Sequence, residues 1–319
     1  MMDSLGVEQR RQEIINRYGE WQGENFQLSE DIYTRGKDAD VNPYRLQRLV
    51  RMITDLYGSF KGLRVLDIGS FEGAHSIEFA LRGSQVLGVE GRDANLAKAR
   101  FAQEILGLTN VEFVKDDVRN ISVDKYGQFD VVLCSGILYH LDEPDIFTFL
   151  DSVASVVRKC AIIDTHISVL PEQKVSFRGE DYFGLFYIEY PQKPSEEEEG
   201  KAVGASIGNL KSFWLTRPSL YNFLSRVGFT SVYECHVPEI VTMPKDRVTL
   251  LAIKGQHTEL LCSPIAKDYP TPSYSEEEPQ LSPPLMGCLE RREHQREDQL
   301  SPRWKKLITH GRKLLRRVR

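Results

Sequence analysis

The chain has 319 residues, with 41 Lys and Arg against 46 Asp and Glu, and is 41% hydrophobic and 27% charged. These values exclude whole-chain disorder, a collagen-like repeat and a disulfide scaffold. No window approaches 18 uninterrupted apolar residues, so no membrane-spanning helix is expected, and the first twenty residues lack the apolar core of a signal peptide. Five widely spaced cysteines (Cys134, Cys160, Cys235, Cys262, Cys288) form an odd set, and two lie in apolar runs. Buried thiols in a reducing, cytoplasmic setting are the expectation. The charge is unevenly spread. Residues 302–319 hold eight Lys or Arg and no acid, which leaves residues 1–301 with a formal charge of −13. A body that acidic is a poor general binder of nucleic acid.

In chain order, a helix is expected over about 5–19, followed by an aromatic stretch (Trp21, Phe26, Tyr33) of little periodicity. Asn42-Pro43 reads as an N-cap and first-turn proline for a helix ending at Gly58. From residue 61 short β-branched runs alternate with amphipathic segments. Strands are expected at 64–69, 84–90, 111–116, 129–134 and 160–167, with helices at 73–82, 93–106 and 144–158. Such alternation predicts right-handed crossovers and a mostly parallel sheet covered on both faces. The stretch 171–212 interrupts this rhythm with clustered aromatics, a Glu run and a Gly-rich run, and an insertion this long after a strand is expected to be functional. A helix (TRPSLYNFLSRVG) and two strands (TSVYECHV and DRVTLLAIKG) follow. The domain plan is a helical cap or lid at 1–59, a catalytic body at 60–255, a linker rich in Pro, Ser and Glu at 256–301, and a basic amphipathic helix at 302–319. That flexible tail is expected to contact an anionic membrane or a nucleic acid, with a solubilising appendage as the alternative.

The most informative stretch is Val65-Leu66-Asp67-Ile68-Gly69-Ser70-Phe71-Glu72-Gly73. A strand entering a glycine turn that opens a helix is where open α/β sheets bind nucleotides. A dinucleotide site wants G-x-G-x-x-G with pyrophosphate on the helix N-terminus. Here bulky Phe71 replaces the second glycine, and the carboxylates of Asp67 and Glu72 flank the turn. Two anions repel a pyrophosphate but suit the ammonium and sulfonium of S-adenosylmethionine. Glu90-Gly91 ends the next strand, where a carboxylate can accept both ribose hydroxyls. Asp117 is placed for the adenine amine, with the Val118 backbone against the ring, while Asp116 reads as a solvated carboxylate. The fourth strand ends at Cys134-Ser135-Gly136, facing the donor methyl.

With these residues in view, the chain resembles the class I S-adenosylmethionine-dependent methyltransferases over about residues 40–255. The pieces are the D-x-G-x-x-x-G turn, the acid ending the second strand, V-E-F-x-x-x-D-V, and F-D-x-V-x-x-x-G-x-L-Y-H-L. The resemblance implies a Rossmann-like, doubly wound, seven-stranded mostly parallel sheet with an antiparallel last strand. It also implies a methyltransferase using S-adenosyl-L-methionine, with donor contacts at Asp67, Gly69, Ser70, Gly73, Glu90, Gly91, Asp117, Val118, Cys134 and Tyr139. A finer similarity, carried by Gly136–His140 and by SFWLTRPS from Ser212, is to the tRNA wobble-uridine carboxymethyltransferase group. There the tyrosine matching Tyr139 helps hold the extra carboxylate of a carboxylated donor. Methyl transfer to an oxygen or nitrogen of a small molecule is the principal expectation, with a tRNA acceptor and a non-catalytic binding module as alternatives.

Two histidines are candidate catalytic groups. His140, after the fourth strand, is placed for a general base, or else packs over the donor. His166, at the end of the fifth strand, is a candidate acid/base or a cap. His75 is expected to line the cofactor turn, Tyr33-Thr34-Arg35 to form a lid or an ordinary loop, and Trp214 to pack in the core. No spacing suits a metal site.

Overall fold

The computed structural model describes residues 3–37, 39, 44–202, 204–239 and 244–256. The tail helix expected at 302–319, the linker after residue 256 and the Asn42-Pro43 helix start lie outside these residues. Helix α1 (Ser4–Tyr18) begins where the Asp3 side chain accepts from Gly6 N–H at 2.9 Å, and it ends at Gly19, whose φ is 80°. Two short strands follow, β1 (Gln27–Ser29) and β2 (Ile32–Tyr33), a hairpin in the stretch expected to be irregular. Helix α2 (Tyr44–Tyr57) then leads into the main sheet.

The main sheet and its helices are β3 (Arg64–Ile68), α3 (Ala74–Leu81), β4 (Gln85–Glu90), α4 (Asp93–Ile105), β5 (Val111–Lys115), α5 (Val123–Tyr126), β6 (Phe129–Ser135), α6 (Asp145–Val156) and β7 (Val157–His166). The insertion holds β8 (Gln173–Phe177), β9 (Glu180–Ile188), α7 (Glu196–Lys201) and β10 (Lys211–Leu215). Helix α8 (Arg217–Arg226) and strands β11 (Ser231–Glu234) and β12 (Arg247–Ile253) complete the body. Seven strands run in the order β11-β12-β7-β6-β3-β4-β5. All pairs from β7 to β5 are parallel, and β12 is antiparallel to both β7 and β11, as the resemblance implies. Central strands read as unbroken apolar runs because both faces are covered. Val65, Val131 and Ile162 sit in the core on one face, and Leu66, Val132 and Ile163 in the core on the other.

The insertion is a correction to the sequence reading, which assigned it no strands. It folds as a separate antiparallel sheet in the order β10-β9-β8. Phe177 pairs with Glu180 across a two-residue turn, Arg178-Gly179, with both φ values positive at 51° and 82°. That is the backbone geometry that lets a tight hairpin follow the natural strand twist. One face packs into the core through Tyr182 and Phe213, and the other leaves Phe183 and Tyr187 exposed.

Candidate active site

The carboxyl ends of β3, β4, β5 and β6 meet at a cavity of about 690 Å³. Its donor-side wall begins at the turn after β3. Gly69 has φ 70°, and a Cβ there would come within 3.2 Å of Ile137. Gly73 has φ 86°, and a Cβ there would stand 2.8 Å from Ala99 and 2.9 Å from Phe113, so this glycine lets α3 close on α4 and β5. Glu90 is buried at the end of β4. Its carboxylate accepts from Phe71 N–H at 2.9 Å, Arg92 N–H at 2.8 Å and Asn95 Nδ2 at 3.2 Å. A carboxylate has about four acceptor positions, so roughly one remains here, room for one ribose hydroxyl where two were expected.

Other expected donor contacts are placed differently. Asp67 does not line the cavity; it lies beneath the turn, accepting from the Ser76 hydroxyl at 2.6 Å, and burial raises its pKa. Glu72 is no free partner for a cationic ligand. Its carboxylate pairs with Lys98 Nζ at 2.8 Å, each side chain 2% exposed, and accepts from Gly23 N–H at 2.7 Å. Asp117 lines the cavity, but Arg119 grips its carboxylate through Nε at 2.9 Å and Nη2 at 2.5 Å. The adenine amine would have to share that carboxylate with a guanidinium. Neighbouring Asp116 is not the solvated carboxylate expected. Burial raises its pKa, but hydrogen bonds from Asn120, Lys125 and Tyr126 outweigh this and bring it to about 2. Cys134 is fully buried below the cavity floor, and burial pushes its thiol up. Ser70, Gly91 and Val118 line the cavity. Ser135 lines it too, and its buried hydroxyl has no partner among the described residues.

The N-terminal segment forms a second wall. Gln22, Gly23, Glu24, Arg35 and Arg45 all reach the cavity, whereas Tyr33 and Thr34 are not among its lining residues. Lys98 holds the segment through the Glu20 carbonyl at 2.7 Å, and His75 holds Glu24 with Nε2 and Oε2 2.8 Å apart. Burial alone would lower the His75 pKa, but the Glu24 carboxylate more than offsets it and the net shift is upward.

The third wall comes from the insertion. Arg92 Nη2 binds the carbonyls of Ala205 at 2.9 Å and Ala202 at 3.1 Å, fixing the loop that brings Ser206 and Ile207 to the cavity. Asn209 donates to the His140 carbonyl at 3.0 Å, and Trp214 Nε1 donates to the Tyr139 carbonyl at 2.8 Å. Trp214 is therefore not a core aromatic. It stacks between Tyr187, with ring centroids 4.6 Å apart, and His166 at 5.0 Å, and His166 meets Tyr139 edge-on at 4.8 Å.

The two catalytic candidates separate clearly. His140 lines the cavity, and its Nδ1 sits 3.0 Å from Glu189 Oε1. Its Nε2 has no hydrogen-bond partner among the described residues. His166 lies outside the cavity wall, which corrects its expected role. Its Nε2 faces Arg247 Nη1 at 3.2 Å, and a guanidinium can only donate, so the basic lone pair is taken. Burial first and Arg247 second lower its pKa. The sequence reading missed Glu189, Arg92 and Arg45, whose relevance appears only when distant segments meet.

Residues 65–160 match a family model described as a methyltransferase domain. The chain is 31% identical over 120 residues to the ubiquinone biosynthesis O-methyltransferase of Acinetobacter baumannii (strain AYE), covering 38% of this chain and 45% of that protein. To the enzyme of the same name from Bordetella parapertussis it is 34% identical over 123 residues, 39% of this chain and 45% of that one. The chain thus spans about half the length of the curated relatives it matches. Among solved structures, the N-terminal domain of EvdMO1 in the presence of SAH and D-fucose aligns with a TM-score of 0.61 and 25% identity, over 80% of this chain and 98% of that one. With the strand order and glycine turn, these likenesses support a class I S-adenosylmethionine-dependent methyltransferase domain around residues 65–160.

Proposed function

We propose that this protein transfers a methyl group from S-adenosylmethionine to an oxygen of a small-molecule acceptor. The observation that carries the reading is one cavity joining a nucleoside-type wall (Glu90, Gly91, Val118) to a histidine whose Nε2 has no partner among the described residues. The residues present fit the donor. Glu90 has an acceptor position left for a ribose hydroxyl, Val118 offers an apolar wall, and the orphaned Ser135 hydroxyl lies where a polar ligand group would satisfy it. Arg35 and Arg45, on the N-terminal wall, suit the carboxylate of the amino-acid arm.

When bound, S-adenosylmethionine supplies an electrophilic methyl group on a sulfonium, with a neutral thioether as leaving group. The chain's own task is to hold the acceptor in line, exclude water and receive a proton. His140 Nε2 takes that proton from the acceptor hydroxyl, which sharpens the oxygen as a nucleophile. The three walls, drawn from the sheet, the N-terminal segment and the insertion, surround the place where the acceptor would be held. The relatives from Acinetobacter and Bordetella are named O-methyltransferases, which supports oxygen as the accepting atom. The formal charge of −13 on residues 1–301 disfavours a polyanionic acceptor such as tRNA.

Incubation of the full chain with methyl-labelled donor and fractionated cell extract tests this reading. Label is expected in the small-molecule fraction, as a product stable to mild base like an ether. Label confined to RNA, or absent from every fraction, rejects it.

A further inference from the structure

Glu189, the residue following β9, carries an inference of its own. Its side chain is 2% exposed, and its two oxygens have separate duties. Oε1 lies 3.0 Å from His140 Nδ1 and accepts from the Ser212 hydroxyl at 2.9 Å, whereas Oε2 accepts from the Ser206 backbone N–H at 3.1 Å. Burial raises the carboxyl pKa, but the hydrogen bond and charge of His140, with the Ser212 and Ser206 donors, outweigh it and hold the group below the usual carboxylate range. An ionised carboxylate can only accept. The proton of a neutral His140 ring therefore belongs on Nδ1, and the lone pair belongs on Nε2.

We propose that Glu189 is a positioning residue that locks His140 in the Nδ1–H tautomer, leaving Nε2 as the base. The antiparallel insertion thereby decides whether the site is competent. This deepens the reading of His140 as proton acceptor and rests on it for its catalytic meaning. The insertion also fixes the backbone that carries the ring, through Asn209 on the His140 carbonyl and Trp214 on the Tyr139 carbonyl. The histidine is thus held at both its ring and its main chain by one inserted segment. Ser212 and Ser206 in turn hold the carboxylate, so its orientation is set independently of the imidazole.

The substitution Glu189→Gln makes the lock testable. The Ser206 N–H cannot turn, so the glutamine oxygen must stay on it. The amide NH2 then faces Nδ1, which becomes an acceptor, and the ring proton moves to Nε2. The measurement is a nitrogen–proton correlation of the histidine rings in the 319-residue chain at mildly alkaline pH, with the His140 signals assigned by their loss in His140→Gln. Wild type is expected to show protonated Nδ1 and bare Nε2. Glu189→Gln is expected to exchange the two signals, and Glu189→Asp to keep the wild-type pattern. A wild-type ring protonated on Nε2, or the same tautomer in wild type and Glu189→Gln, overturns the proposal. Should Glu189→Gln not fold, the wild-type and Glu189→Asp spectra still decide, because protonated Nε2 in either contradicts the lock. The ring signals are read without any methyl transfer, so failure of the lock and failure of the proposed activity are distinguished.

Discussion

The donor side and the insertion side of the cavity are built on different sequence scales. Glu90 is positioned by Arg92, Asn95 and Phe71, which lie 2, 5 and 19 residues away. His140 is positioned by Glu189, Asn209 and Trp214 through contacts spanning 49, 69 and 75 residues. A local site is fixed once a strand, a turn and a helix have formed. A long-range site needs a second sheet to fold and dock first. The difference suits a division of labour, in which the common donor is held by the local half and the particular acceptor is handled by the half that an insertion can remodel.

If that division holds, the two halves should fail differently. The largest effect is expected on the insertion side: His140→Gln should lower kcat by about 10²–10⁴ while leaving S-adenosylhomocysteine affinity unchanged, as removal of a general base does. Equal losses in affinity and turnover would erase the comparison. Next, Lys98→Met leaves the Glu72 carboxylate buried without its cation. A loss of about 3–5 kcal/mol in denaturant stability is expected, as for other broken buried pairs, whereas an unchanged midpoint would show that Glu72 takes up a proton cheaply. Gly73→Ala should cost about 1–3 kcal/mol of stability, from overpacking against Ala99 and Phe113.

The smallest effect concerns the N-terminal wall. His75 binds its proton more tightly in the folded chain than its ordinary value of about 6.5, because Glu24 outweighs burial. Its stabilising contribution is therefore complete below about pH 6.5 and is lost as pH rises through the raised value. The contribution should be about 1.5 kcal/mol, the low end for a hydrogen bond to a charged group. Denaturation midpoints across pH 6–9 should show that loss in wild type and not in His75→Gln; parallel curves for the two proteins would remove His75 from the account.

Most of the main sheet was legible from sequence because parallel strands covered on both faces must be continuous apolar runs, as RVLDI and FDVVLC are. The turn after β3 was legible for the same local reason. Placement of individual carboxylates was not. Asp67 and Glu72 look alike on either side of that turn, yet one lies beneath it and the other is cancelled by Lys98, a residue 26 positions away. The β8–β9 hairpin was hidden because its turn, Arg178-Gly179, lacks the usual Asn or Asp, and because its aromatics serve both faces. Glu189 had no signal of its own, since a glutamate between Ile188 and Tyr190 acquires meaning only when β9 and β10 bring it under His140.

Calorimetric titration of S-adenosylhomocysteine into wild type, Glu90→Ala and His140→Gln, with NAD as control, tests the central claim most directly. The account predicts equal binding by wild type and His140→Gln, binding weakened by about 10- to 100-fold in Glu90→Ala from the lost acceptor and its orphaned N–H donors, and no binding of NAD. Binding of NAD in place of S-adenosylhomocysteine, or full affinity in Glu90→Ala, would contradict it.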